Sequence, residues 1–410
     1  MAPSARKFDR RGFLKGAAGA AATFTIVPGH VLGGPNGPAP SDTFGAALIG
    51  CGGRGPGTFR EMSKGLNVVK LADCDVKFKD RADNKKVYTD FRRVLDRKDI
   101  DLVAIATPPH WHALIAIAAA EAGKDVLGEK PMTRTIAEGR AMVKAFDRYK
   151  RVYQVGTFGR FGISKHEGNI ATHKLMASGL LKRTEACYVR RGGFKVRKWA
   201  GKPVVAPKPV PPNLDWDLYV GPSPMKPYVP TRTGGTHRWY WDYEGGGLGD
   251  MGQHALDPIN WLFAKDATSP VEIEASAPPA HPEVAGLWGW VKLTYADGFT
   301  LVLESGEWGE PTGMKSRPPK LEELGEADRT KVAAMPDPAP LLTFAEAVKT
   351  RGQAGGHPEA AHRTACLMHL ANIAIRTGRK LRYDPDAERF LGDEEANRLA
   401  YQPMRAPWRV

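Results

Sequence analysis

Asp250 and His254 stand four residues apart, directly after Gly245-Gly246-Gly247-Leu248-Gly249. On a helix that spacing puts both side chains on one face. A histidine beside a carboxylate can serve as a general base near neutral pH. The same pair also fits a helix N-cap and a core histidine. Lys130 stands in Glu129-Lys130-Pro131, where Glu129 and Lys130 are also candidate cofactor contacts. A lysine at a strand end can donate to a hydroxyl and stabilise a developing alkoxide; taken alone, a lysine before proline is usually a surface residue. Together these residues could remove a proton from a hydroxyl and hold the charge left on its oxygen.

Gly50-x-Gly52-x-x-Gly55, with Gly53 and Arg54 inside it, fits a dinucleotide-binding fingerprint. It follows the apolar run Phe44–Ile49 and precedes a helix marked by Pro56 at its start and Gly65 at its end. Gly50 would make the tight turn, Gly52 would admit a pyrophosphate, and Gly55 would pack helix on strand. The phosphates would lie on free N–H groups of the helix N-terminus. Asp73 ends the next apolar run and is the candidate ribose ligand; Asp75 shares its strand parity and is the fallback. An acidic residue there favours NAD, although Lys77 and Lys79 leave NADP open. Thr107-Pro108-Pro109-His110 closes a third run, Leu102–Ala106, where an open α/β sheet binds ligands. A plain turn is the alternative there.

Strand and helix signals alternate from residue 44 to 157, which predicts a doubly wound parallel sheet. Residues 112–122 read as a helix stopped by Gly123. Thr135-x-x-Glu138 is a capping box opening another. Residues 158–410 differ. Residues 196–236 are proline-rich and loop-like, and 306–340 read as a long polar excursion. Strands are expected at 271–277, 291–295 and 299–303, the last two joined at Asp297-Gly298. Helices are expected at about 341–350 and 358–377.

Residues 1–34 read as a twin-arginine export signal, with Arg10-Arg11 before an uncharged Gly16–Val27 stretch. Asp9 stands where Ser or Thr is usual. Residues 35–43 read as a linker, and 28–43 are expected to form an arm across a neighbouring subunit. The chain has 410 residues and a formal charge of +14, of which +4 lies in the first 40. The remaining charge is spread, without the dense basic run a nucleic-acid site would need. No apolar run reaches the roughly 20 residues of a membrane span. The four cysteines have no zinc or C-x-x-C spacing, so free thiols and no metal are expected.

The glycine fingerprint, Thr107-Pro108, Glu129-Lys130-Pro131 and Asp250-x-x-x-His254 occur in an order and spacing that resemble the glucose–fructose oxidoreductase/inositol dehydrogenase family (Gfo/Idh/MocA). The resemblance runs from about residue 44 to the C-terminus. The leader, Trp239-Tyr240-Trp241 and Arg405-Ala406-Pro407-Trp408 look like its exported bacterial branch. It implies a Rossmann domain followed by an α+β domain whose open, largely antiparallel sheet supports homodimers or homotetramers. It assigns Lys130, Asp250 and His254 to the reacting carbon. Some branches carry Tyr where this chain keeps His254.

The implied activity is NAD(P)-dependent hydride transfer from a sugar, sugar-derivative or cyclitol hydroxyl. His254 would take the proton and Asp250 would hold His254 or a neighbouring hydroxyl. Arg160, Arg238, Trp239 and Tyr240 are the expected substrate contacts. Export implies a nucleotide held tightly. The alternative is NAD-dependent glycoside cleavage through transient oxidation, elimination and reduction. A binder that keeps the fold without the chemistry is the reading that Lys130 and His254 argue against.

Overall fold

The computed structural model describes residues 43–78, 86–181, 186–202 and 206–410. The export signal, nearly all of the linker and arm, and Lys79 lie outside the described residues. Gly45–Val410 form one unit built on two six-stranded sheets.

The first sheet has the order β3-β2-β1-β4-β5-β6. Its strands are β1 (Thr43–Ile49), β2 (Asn67–Cys74), β3 (Val87–Tyr88), β4 (Leu102–Ile105), β5 (Asp125–Gly128) and β6 (Tyr153–Val155). The registered pairs β1–β4, β2–β3, β4–β5 and β5–β6 are parallel. Both faces of β4 and β5 are buried, which explains their unbroken apolar runs. Helices α1 (Gly55–Ser63), α2 (His112–Glu121) and α3 (Ile136–Tyr149) connect them. Thr135 and Glu138 form the expected capping box at α3.

The second sheet has the order β12-β11-β8-β9-β10-β7. It comprises β7 (Cys187–Arg191), β8 (Glu272–Ser276), β9 (Trp290–Thr294), β10 (Thr300–Glu304), β11 (Leu381–Asp384) and β12 (Arg389–Phe390). Only β7–β10 is parallel. Gly298 takes φ +87° in the β9–β10 turn, as Asp297-Gly298 anticipates. The edge strands β7 and β12, and β11 beside β12, carry no comparable turn signal and emerge only from the structure. The 306–340 excursion also contains a helix, Glu326–Ala334, and a bridge from Arg317 to Cys187.

Helix α4 (Gly246–Leu262) carries the Asp250–His254 face, and α5 (Pro358–Thr377) packs against it and α3. Gly139 of α3 admits His362 of α5, because a Cβ there would sit 2.2 Å from its ring. Arg140 clamps this contact through Glu359 at 2.6 Å and Glu388 at 2.7 Å. All four cysteines are free. Among the described residues no helix is long and apolar enough to cross a membrane.

Candidate active site

A cavity of about 750 Å³ lies over the C-terminal ends of β1, β4 and β5 and the start of α4. Gly50, Gly52, Gly53 and Arg54 form one wall. Gly50 takes φ +90°, and a Cβ there would strike the Ala106–Thr107 backbone at 2.5 Å. A Cβ on Gly55 would come 2.3 Å from the Gly50 carbonyl, so this glycine packs the loop and does not line the cavity. Gly52 and Gly53 face open space. Bare backbone at the head of a helix is the cradle a pyrophosphate needs, so these residues fit a dinucleotide.

Asp75 lines the cavity beside this wall. Its Oδ2 accepts from Cys51 N at 2.9 Å, and its Oδ1 accepts from Lys77 N at 3.0 Å. Asp73 pairs with Lys70 and does not line the cavity. The structure thus brings the fallback, Asp75, to the cavity and leaves Asp73 outside it. Parity could not separate them; β2 stops at Cys74, and Asp75 turns in beneath the glycine loop. Lys77 also lines the cavity.

Thr107 and Pro108 line the cavity, but His110 does not. His110 is 2% exposed, its Nε2 lies 2.9 Å from the Tyr219 carbonyl, and burial pushes its pKa down to about 3. It braces the wall as a neutral ring. Trp111, next to it, does reach the cavity and is backed by Trp408 at 4.8 Å in an edge-on contact.

Glu129 ties the glycine loop to the Lys130–Asp250 pair. Its Oε1 accepts from Arg54 Nε at 2.7 Å and from Thr58 Oγ1 at 2.8 Å. Lys130 follows, and its Nζ donates to Asp250 Oδ1 at 2.8 Å. Arg238 Nε donates to the same oxygen at 2.8 Å. Burial alone would raise the Asp250 carboxyl, but Lys130 and Arg238 outweigh it and hold the pKa at about 2. His254 lies one turn on and lines the same cavity. Burial, then the Lys130 charge, lower its pKa, so the ring is neutral at pH 7. Asp250 spends its carboxylate on Lys130 and Arg238 and does not hold His254.

Arg238 is the one expected substrate contact that reaches the cavity. Arg160 is 1% exposed and sealed between Asp257 at 2.6 Å and Asp266 at 2.8 Å. A buried guanidinium needs carboxylates around it, and here it finds them away from the cavity. Tyr240 packs in a separate apolar cluster with its hydroxyl 2.6 Å from Thr231 Oγ1, and Trp239 packs against that cluster. Lys195, His237, Glu244 and Tyr219 line the cavity without having been singled out from the sequence. Glu244 directly precedes the glycine run, and that adjacency was its one available signal.

Comparison with known proteins decides the family. Residues 44–157 match the model of the oxidoreductase family's NAD-binding Rossmann fold, and 169–410 match its C-terminal alpha/beta domain. The chain belongs to the Gfo/Idh/MocA oxidoreductase family. It carries an NAD-binding Rossmann domain. A levoglucosan dehydrogenase of Pseudarthrobacter phenanthrenivorans is 51% identical over 67 residues, 16% of this chain and 17% of that protein. A glycosyl hydrolase family 109 protein of Solibacter usitatus is 31% identical, covering 27% of this chain and 30% of its own length. An inositol 2-dehydrogenase of Salmonella typhimurium is 29% identical over 29% of this chain and 38% of its own. The matches thus span well under half of these curated relatives. Among solved structures, the WlbA dehydrogenase of Bordetella pertussis, in complex with NADH and UDP-GlcNAcA, shares the fold at TM-score 0.52. Its identity is 14%, covering 83% of this chain and 99% of that one.

Proposed function

We propose that this Gfo/Idh/MocA protein is an exported, NAD-dependent oxidoreductase acting on a secondary hydroxyl of a sugar, sugar derivative or cyclitol. The observation that carries this reading is the Lys130–Asp250 pair beside His254 in the same cavity as the glycine loop. NAD, when bound, supplies the hydride acceptor. Lys130 donates to the reacting oxygen and stabilises negative charge there. Asp250 stays ionised and fixes the Lys130 ammonium. His254, neutral at pH 7, takes the hydroxyl proton. Asp75 supports NAD over NADP, because a carboxylate repels a 2′-phosphate. The names of the levoglucosan and inositol dehydrogenase relatives support the substrate class.

The second reading, redox-neutral glycoside cleavage, is supported by the family 109 relatives. Both readings include a tightly held nucleotide, export through the twin-arginine signal, and a homodimer or homotetramer. The deciding experiment isolates the protein from the periplasm, releases and identifies its nucleotide, and screens sugars, cyclitols and glycosides in single turnovers. Reduction of the bound nucleotide by a free sugar supports the first reading. Glycoside cleavage without net reduction supports the second. A folded, exported protein that carries and binds no nucleotide overturns both.

A further inference from the structure

Behind the large cavity lies a void of about 30 Å³, lined by Arg134, His369, Asn372, Arg376 and Glu244 among others. Glu244 and Pro109 line both spaces, so they are their shared wall. Glu244 is 3% exposed, and its Oε1 holds neither a hydrogen bond nor an ion pair among the described residues, whereas Oε2 lies against His237 and Arg238. Two more polar atoms of the void walls are buried and unpartnered: Arg134 Nε and His369 Nε2. Buried polar atoms are ordinarily satisfied, and three such atoms at one small void mark an occupant.

The chemistry of the three atoms selects that occupant. Glu244 offers acceptors and Arg134 Nε is a donor. Burial pushes His369 down to about 3, so its ring is neutral. A halide accepts but cannot donate to Glu244. Water does both, and the volume matches one or two molecules. Arg134, His369 and Arg376 are each partly exposed, so the void is not walled by sealed residues alone.

Glu244 is held in place from the cavity side. His237 Nε2 lies 3.2 Å from its Oε2, and Arg238 Nε lies 3.6 Å from the same oxygen. The other His237 nitrogen, Nδ1, faces the Gly234 carbonyl. Gly249 leaves room for the carboxylate, because a Cβ there would sit 3.1 Å from Glu244 Cγ. The titratable and charged groups facing Glu244 are His237, Arg238, His112, Arg134, His369 and Arg376.

We propose that the void is a water site and that Glu244 passes protons through it from the catalytic cavity to the exterior. This rests on the dehydrogenase reading, in which each hydroxyl oxidised leaves one proton behind. A cavity water gives that proton to a Glu244 oxygen, forming a carboxylic O–H. That bond then breaks toward a void water, which releases the proton to solvent and restores the carboxylate. No electrons move in either step. Glu244 is a relay residue and does not touch the reacting carbon.

The test uses the NAD-loaded protein and Glu244→Gln, which keeps the shape but not the exchangeable carboxyl proton. A high-resolution crystal structure, with a bromide soak read by anomalous scattering, is expected to show water bonded to Glu244 and Arg134 and no bromide. A dry void, or bromide in it, overturns the proposal. With the sugar found by the screen above, a single turnover in pH-indicator dye follows hydride transfer and proton release together in E244Q. Proton release should lag at least tenfold. Release that keeps pace with hydride transfer in E244Q overturns the relay. If no sugar reduces the nucleotide, the dehydrogenase reading fails, while the crystallographic arm still decides the site.

Discussion

Lys130 Nζ sits 2.8 Å from Asp250 Oδ1, although 120 residues separate them in the chain. One side chain follows the end of β5, the other comes from the second turn of α4. The contact joins the nucleotide-binding sheet to the segment carrying His254, and the loss of either partner should register in the chemical step.

Lys130→Met should lower kcat by about 10²–10³, the usual loss when one charge-stabilising donor is removed. Bound nucleotide should stay near wild-type content, since Lys130 is not part of the glycine cradle. Steady-state kinetics and nucleotide release by acid precipitation check this together.

The acid limb of kcat/KM should lie below the ordinary histidine value of about 6.5, because His254 is shifted down. Its folded pKa is depressed, so the neutral ring favours the native state above that value, and the contribution is lost as pH falls. Asp250 has the same sign at lower pH: its stabilisation is present above about 3.9 and is lost on descent through about 2. A pH profile of wild type and His254→Gln should show the limb vanish in the variant, with residual activity nearly flat.

Asp75→Ala should weaken nucleotide binding at least tenfold, since Asp75 faces the cavity and fixes the Cys51 amide. Asp73→Ala should change it less than threefold. Isothermal titration with NAD on nucleotide-stripped protein distinguishes them, and equal losses would return the role to Asp73.

Gly52→Val and Gly55→Val should separate ligand from fold. The first projects into open space and should abolish nucleotide retention while leaving Tm of the stripped protein unchanged. The second drives a side chain into the Gly50 carbonyl and should lower Tm as well. Differential scanning calorimetry of both stripped variants gives the answer.

Arg160→Met should destabilise by about 3–5 kcal/mol, because it strands the fully buried Asp257 without its cation. Urea unfolding measures the loss. A normal Tm with a raised KM would instead restore Arg160 as a substrate contact.

Local chemistry was legible in the linear chain. The glycine loop, the capping box at Thr135 and Glu138, and the turn at Asp297-Gly298 each depend on neighbours within a few residues. Their positions therefore follow from residue type and spacing. So did the parallel sheet, because alternating strand and helix signals leave little other topology, and so did the likeness that placed Lys130, Asp250 and His254 together.

Orientation and partnership were decided by the tertiary structure. Asp73 and Asp75 have equal parity, and only the end of β2 turns one of them, Asp75, to the cavity. Arg160 and Arg238 look alike in sequence, yet Asp257 and Asp266 bury the first, while Asp250 holds the second at the cavity. Trp408 reaches the cavity wall through Trp111, and Glu244 meets a void shared with α5. These contacts join segments remote in the chain, so their pairing depends on packing, shape and charge that no local spacing encodes.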